Sequence, residues 1–120
     1  MEINEAQNRI KVFNDEREWS DSGCIKDLML NMNEEIGEMW SLIKWVDVPK
    51  QQELIEMNKE EVENFVGDMI YLILKLGYLC NVDSEKAIKD VIEEYEKRFP
   101  KDKAKGSHGN TRAGGVDLKE

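Results

Sequence analysis

One stretch, Leu28 to Trp45, limits most strongly what this chain can become. An α-helix turns about 100° per residue, so Leu28, Asn31, Glu35, Glu38, Leu42 and Trp45 share one face. That face is apolar at both ends and acidic in the middle. An ionised carboxylate on a core-facing seam is costly unless a partner or a cation accompanies it. The neighbouring seam, Leu28, Met32, Ile36, Met39, Ile43 and Val46, is wholly apolar. The stretch therefore predicts a broad-faced helix, central to the protein, that carries charge inward.

The rest of the chain supplies the neighbours such a helix needs. Ile3, Ala6, Ile10 and Phe13 recur at helical spacing and predict a first helix over about residues 2–17, closed by the turn cluster Ser20-Asp21-Ser22-Gly23. The second helix is expected from about Ile25 to Val46, ended by Pro49. Residues 50–59 are mostly polar and read as a connection holding at most one helical turn. A third helix over about residues 60–80 carries Val62, Phe65, Val66, Met69, Ile73 and Leu76, and from Phe65 to Leu74 its one charge is Asp68. Asp83 or Ser84 can cap a fourth helix ending near Pro100, with Ala87, Ile88, Val91, Ile92 and Tyr95 on its buried side. There is no internal repeat. The domain organisation expected is a helical domain over 1–100 and a basic, Gly-rich tail over 101–120, mobile or ordered only by a partner or ligand.

Composition narrows the partners. With 40% apolar and 36% charged residues the chain suits a compact helical protein, and strands are not expected. The net charge is −9. Five of the 17 basic and three of the 26 acidic residues lie beyond Pro100, which leaves the first hundred residues at −11. Such a surface repels nucleic acid and anionic membrane. Cys24 and Cys80 lack CxxC spacing and are expected to be reduced, half-buried small apolar residues. Met1 to Arg9 carries charge and no apolar h-region, and no run approaches the ~20 apolar residues of a membrane span. A reducing, cytoplasmic setting is the expectation.

Four such helices make an all-α bundle in which the two long ones lie side by side. Asp68 is then brought towards Glu35 and Glu38, with Asn64 and Glu61 one and two turns earlier on its face. Carboxylates converging in a partly desolvated cleft either rise in pKa or are neutralised by a cation. Oxygen donors favour a hard divalent ion, Mg²⁺ with Mn²⁺ as a substitute, over Zn²⁺. The single histidine, His108, lies in the tail, which removes a di-iron site built on Glu-x-x-His pairs. Plainer readings stand beside this one. Glu34, Glu35 and Glu38 are also what a solvated helix face looks like, Asp68 has Lys44 or Lys75 as possible partners, and single Trp residues such as Trp19, Trp40 and Trp45 are commonly core or interface.

Several runs in order, Arg17-Glu18-Trp19, EEIGEMWSLIKW on the second helix, Gly67-Asp68, LGYLCNVDSEKAI and the closing EKRFP, resemble the MazG-like nucleoside triphosphate pyrophosphohydrolases of the all-α superfamily. The likeness spans about residues 10–105 and is nearest to the small single-domain members, including the dCTP-hydrolysing type. It implies an intertwined homodimer, often paired into a homotetramer, that cleaves a (deoxy)nucleoside triphosphate between the α and β phosphates, a house-cleaning activity on the nucleotide pool. Glu35 and Glu38 match the family's Glu-x-x-Glu metal ligands, Glu34 the extra acid of its EExxE form, and Asp68 the aspartate of Glu-x-x-Asp. The partner glutamate is missing: position 65 is phenylalanine. Asn64 and Glu61 lie on the right face to substitute, whereas Glu63 is about 140° away from Asp68. Tyr95 stands where many members have an asparagine.

On this reading Mg²⁺ held by Glu35, Glu38 and Asp68 would position a water for in-line attack at the α phosphorus, with Glu34 or Glu35 as general base. Lys44, Lys97 and Arg98 would meet the triphosphate tail, and Trp19 and Trp45 would stack on or wall the base. The alternative is a non-enzymatic acidic module that dimerises through Met-rich faces, Met29, Met32, Met39 and Met69 among them, and regulates a partner.

Overall fold

The computed structural model describes residues 1–21 and 25–106. Across them the chain is helical, with no strand among the described residues: α1 (Ile3–Glu16), α2 (Ile25–Ser41), α3 (Val48–Met57), α4 (Lys59–Leu79), α5 (Ser84–Arg98) and the single turn α6 (Lys101–Ala104). Residues Met1–Asp83 form one compact unit, and a second begins at Ser84.

Within the first unit α1, α2 and α3 each pack on α4. Its sequence explains why. From Phe65 to Leu79 apolar residues leave almost no polar face, and a helix of that kind has to be covered on more than one side. Leu72 of α4 is buried against Leu28 and Met32 of α2, with Met69, Tyr71, Leu76 and Leu79 packed round the contact. Each such side chain stabilises the fold by about 1.5–3 kcal/mol when fully buried. The central place expected for the second helix therefore belongs to α4. The reason is visible in α2, which buries Leu28 and Met32 but leaves Ile36 of the same seam about half exposed.

Two boundaries also differ from expectation. α2 stops at Ser41 rather than continuing to Val46. Ser41 Oγ donates to the Gly37 carbonyl at 2.9 Å, and the following amides of Leu42 and Ile43 bond three residues back, to Met39 and Trp40. Serine back-bonding of this type competes with helix continuation, and the tightened bonds mark the turn that follows. Pro49 does not end this helix but opens the next. Asp47 Oδ1 accepts from the Lys50 amide at 3.1 Å as the N-cap of α3, and Pro49 sits in the first turn, where its missing N–H costs nothing. What had read as a polar connection is thus a ten-residue helix.

α1 and α4 close in the same way. Trp19 N–H reaches the Asn14 carbonyl at 2.8 Å and Glu18 N–H the Asp15 carbonyl at 3.1 Å, with Glu18 at φ 58°. Val82 N–H reaches the Gly77 carbonyl at 2.8 Å and Asn81 N–H the Tyr78 carbonyl at 3.2 Å, with Asn81 at φ 60°. Both are Schellman closures, in which one left-handed residue satisfies the last carbonyls. The Arg17-Glu18-Trp19 run is therefore a helix-ending turn.

No residue of α5 is buried, and Ile88, Val91, Ile92 and Tyr95, expected on its buried side, are 39–52% exposed. An amphipathic stripe shows which face wants cover and says nothing of whether the chain supplies it. Cys80 is free and exposed rather than half-buried, because it is the C-cap of α4, where the chain leaves the packed helix. Cys24, His108 and the tail from residue 107 lie outside the described residues. Among the described residues no single helix is long and apolar enough to cross a membrane.

Glu18 occupies the left-handed region that glycine enters freely. That conformation costs an L-residue about 1–2 kcal/mol, against the roughly 0.5–1 kcal/mol that glycine loses through its freer unfolded chain. Glu18→Gly is expected to gain about 0.5 kcal/mol and the β-branched Glu18→Val to lose about 1 kcal/mol. Opposite shifts of the urea midpoint at an unchanged slope would show this.

Candidate functional site

The contact of Leu28 and Met32 with Leu72 sets the position of everything acidic between α2 and α4. Glu35 follows Met32 by three residues on α2, and Asp68 precedes Leu72 by one turn on α4. The two meet in a pocket of about 210 Å³ lined by Asn31, Glu35, Asp68, Tyr71 and Leu72. Further towards the C-terminal end of α2 and the N-terminal end of α4 lies a larger cleft of about 560 Å³. Its lining is Glu35, Glu38, Met39, Leu42, Glu60, Glu61, Asn64 and Phe65. The lining residues rise along α2 as they fall along α4, so the two helices run antiparallel and their acidic breaks fall at matching depth.

Glu35 belongs to both spaces and is half-buried. Its pKa is raised above the ordinary glutamate value, first by desolvation and then by the charges of Glu38, Asp68 and Glu34. Asn64 Nδ2 donates to Asp68 Oδ2 at 3.2 Å, so the asparagine one turn before Asp68 orients that carboxylate while lining the larger cleft. Phe65, standing where the resemblance leads one to expect a glutamate, forms part of the cleft wall.

Of the residues singled out from sequence, Glu35, Glu38, Glu61, Asn64 and Asp68 are brought to these two spaces. Glu34 is exposed and acts on the site through its charge on Glu35. Trp19, Lys44 and Trp45 line neither space. Trp19 follows α1 with its ring edge-on to Phe13, centroids 6.0 Å apart, and Trp45 is 87% exposed in the turn after α2. Lys97 and Arg98 form the last turn of α5 in the second unit, with the Arg98 guanidinium 5.0 Å from the Phe99 ring centre. Asp68, for which Lys44 or Lys75 was a possible partner, accepts from Asn64 on its own helix.

Glu60, Asn31 and Tyr71 are polar lining residues beyond those expected from the sequence. Glu60 lies one turn before Asn64 and Tyr71 three residues after Asp68, so helical spacing carried a signal for both. Asn31 was already on the acidic stripe.

The donors here are carboxylates and an amide, hard oxygen ligands suited to Mg²⁺ or Mn²⁺. The mutual repulsion that raises Glu35 is what a bound cation relieves. In kind, therefore, the residues fit a divalent ion. Among the described residues, however, no three Asp, Glu, His or Cys side chains converge tightly enough to hold one as they stand. Glu38 and Glu61 are exposed. Comparison with protein-family models, curated proteins and solved structures gave no match.

The raised pKa of Glu35 has a sign that can be checked. A carboxyl that binds its proton more tightly when folded favours the folded state at low pH, and this advantage is lost as pH rises through its folded pKa. Glu35→Gln is therefore expected to melt above the wild type at pH 7 and to lose that margin as pH falls below the ordinary glutamate value of about 4.3, where the wild-type carboxyl becomes protonated in both states. Thermal melts at low salt without divalent ions measure it.

Proposed function

We propose that this chain is a Mg²⁺-dependent nucleoside triphosphate pyrophosphohydrolase of the MazG-like kind, acting on a (deoxy)nucleoside triphosphate in a reducing, cytoplasmic setting. The observation that supports it best is the antiparallel register of α2 and α4, which sets Glu35 and Glu38 against Asp68, Asn64 and Glu61 around one pair of connected spaces. Glu35, Glu38 and Asp68 would hold the ion, with Asn64 and Glu61 in place of the absent glutamate. A bound divalent ion would supply neutralisation of phosphate charge and a more acidic water.

The chain's own part is positional and basic. Glu35, which lines both spaces, would take the proton of a water whose oxygen bonds to the α phosphorus as the bond to the bridging oxygen breaks. Nucleoside monophosphate and pyrophosphate leave. Glu34 is the alternative base. Met39, Leu42 and Phe65 give the larger cleft an apolar wall that limits water on one side. Lys44 is proposed for the triphosphate tail, and Trp19 and Trp45, with exposed rings, for the base.

We also propose that the protein works as a homodimer or homotetramer. Among the described residues only four hydrophobic side chains are buried, whereas twenty large ones are exposed, including Val66, Ile70 and Ile73 on α4. A core this small leaves apolar surface for a second copy to cover. The same surface suits the rival reading, an acidic helical module that dimerises and regulates a partner. The failure of the carboxylates to converge as they stand favours that rival.

Pyrophosphate release from a panel of ribo- and deoxyribonucleoside triphosphates tests the enzyme. Turnover is expected with Mg²⁺ and not without, and Glu38→Gln should lower kcat/KM at least about 100-fold, since even outer partners of metal ligands cost 10–100-fold. Turnover in the absence of divalent ions, or an undiminished Glu38→Gln, would remove the proposal. Thermal melts separate the rival: no response to Mg²⁺ with any triphosphate favours the module. Light scattering is expected to give twice or four times the chain mass, and Ile70→Glu should lower it, because that side chain is 54% exposed within one chain.

A further inference from the structure

The Asn14 side chain is the one fully buried polar group among the described residues. It is on the last turn of α1, and every polar atom of it is used. Nδ2 donates to the Ile10 carbonyl at 2.7 Å and to Tyr71 Oη at 3.0 Å, while Tyr71 Oη donates to Oδ1 at 3.3 Å. Its backbone carbonyl accepts from Arg17 N–H at 3.1 Å and Trp19 N–H at 2.8 Å. One residue thus closes the turn that carries Trp19 and grips a phenol on α4.

That phenol is part of the acidic pocket. Tyr71 lines the 210 Å³ space with Glu35 and Asp68, and the ring packs edge-on to Phe13, 6.4 Å between centroids, which in turn meets Trp19. An apolar pair would join α1 to α4 without the cost of dehydrating an amide and a hydroxyl. A satisfied polar pair with one partner buried does something an apolar pair cannot. It specifies one ring orientation and one register between the helices.

We propose that Asn14 is a positioning residue, acting through Tyr71 to hold the wall of the Glu35–Asp68 pocket in register with the turn bearing Trp19. The inference rests on the proposed pyrophosphohydrolase reading and deepens it: the phosphate end and the base end of a bound nucleotide are spaced by this amide–phenol pair. Displacement of a site wall by a fraction of an ångström is enough to cost about tenfold in rate, given that 1 Å costs about 100-fold.

The test uses the full chain with Tyr71→Phe, Asn14→Leu and the double variant. Measurements are made well below each melting point and after circular dichroism shows unchanged helicity. Tyr71→Phe keeps the ring and its Phe13 contact, so it decides the matter if Asn14→Leu does not fold. Expected are a kcat about tenfold lower with KM within about threefold, the same loss in each single variant and no further loss in the double. Mn²⁺ binding without nucleotide, read by electron paramagnetic resonance, should weaken severalfold in Tyr71→Phe. An active wild type beside a Tyr71→Phe with unchanged kcat, KM and Mn²⁺ affinity overturns this inference alone and leaves Asn14 a tie between helices. A wild type that hydrolyses none of the triphosphates and binds no Mn²⁺ overturns the proposed function, and this inference with it.

Discussion

The contact of Leu72 with Leu28 and Met32 is the constraint from which the described part of the site follows. It joins the two long helices of the first unit, and because they run antiparallel it sets their register. Side chains three residues or one turn away on each helix are then obliged to face one another. On α2 that side chain is Glu35 and on α4 it is Asp68. The burial that stabilises the pair therefore also desolvates Glu35, which raises its pKa first, and sets it near Glu38 and Asp68, whose charges raise it further. Stability and site strain have one source here, and a cation or a proton is the natural relief.

α4 makes this possible by being apolar on nearly every side. It takes α2 on one face and α1 on another, and the two interfaces differ in kind. The α2 interface is apolar apart from its acidic break. At the α1 interface Asn14 and Tyr71 add a satisfied polar pair, and no buried side-chain nitrogen or oxygen among the described residues lacks a partner. The apolar interface holds the buried side chains of Leu28, Met32 and Leu72, and the polar pair supplies orientation. Where the chain leaves α1 and α4, the same Schellman closure returns it over the helix end, with Glu18 and Asn81 absorbing the left-handed turn.

Much of this was legible beforehand. The acidic interruption of an otherwise apolar stripe pointed to Glu35 and Glu38, and the isolated Asp68 in the third long helix pointed to their counterpart. Both signals are periodicities within one helix, which is where sequence is most informative. Glu60 and Tyr71 escaped because each needs the helix to be placed against a neighbour before its direction matters. The helix Val48–Met57 escaped because its first turn contains Pro49, a breaker within a helix yet a good first-turn residue. The early stop of α2 rests on the hydroxyl of Ser41, which can point to water or back to Gly37, and sequence does not choose between them.

What the sequence by itself determined is local: which segments are helical, which faces are apolar, and where charge interrupts them. These follow from the 3.6-residue period and the cost of burying a carboxylate, both properties of a single helix. Which helix is central, whether the stripe of α5 is covered, and that Trp19 and Trp45 stand apart from the acidic spaces were decided only by the tertiary structure. An amphipathic face states a demand for cover, and only packing between distant segments answers it. The Leu72 contact answers that demand for α2 and α4, whereas the apolar stripe of α5 remains exposed.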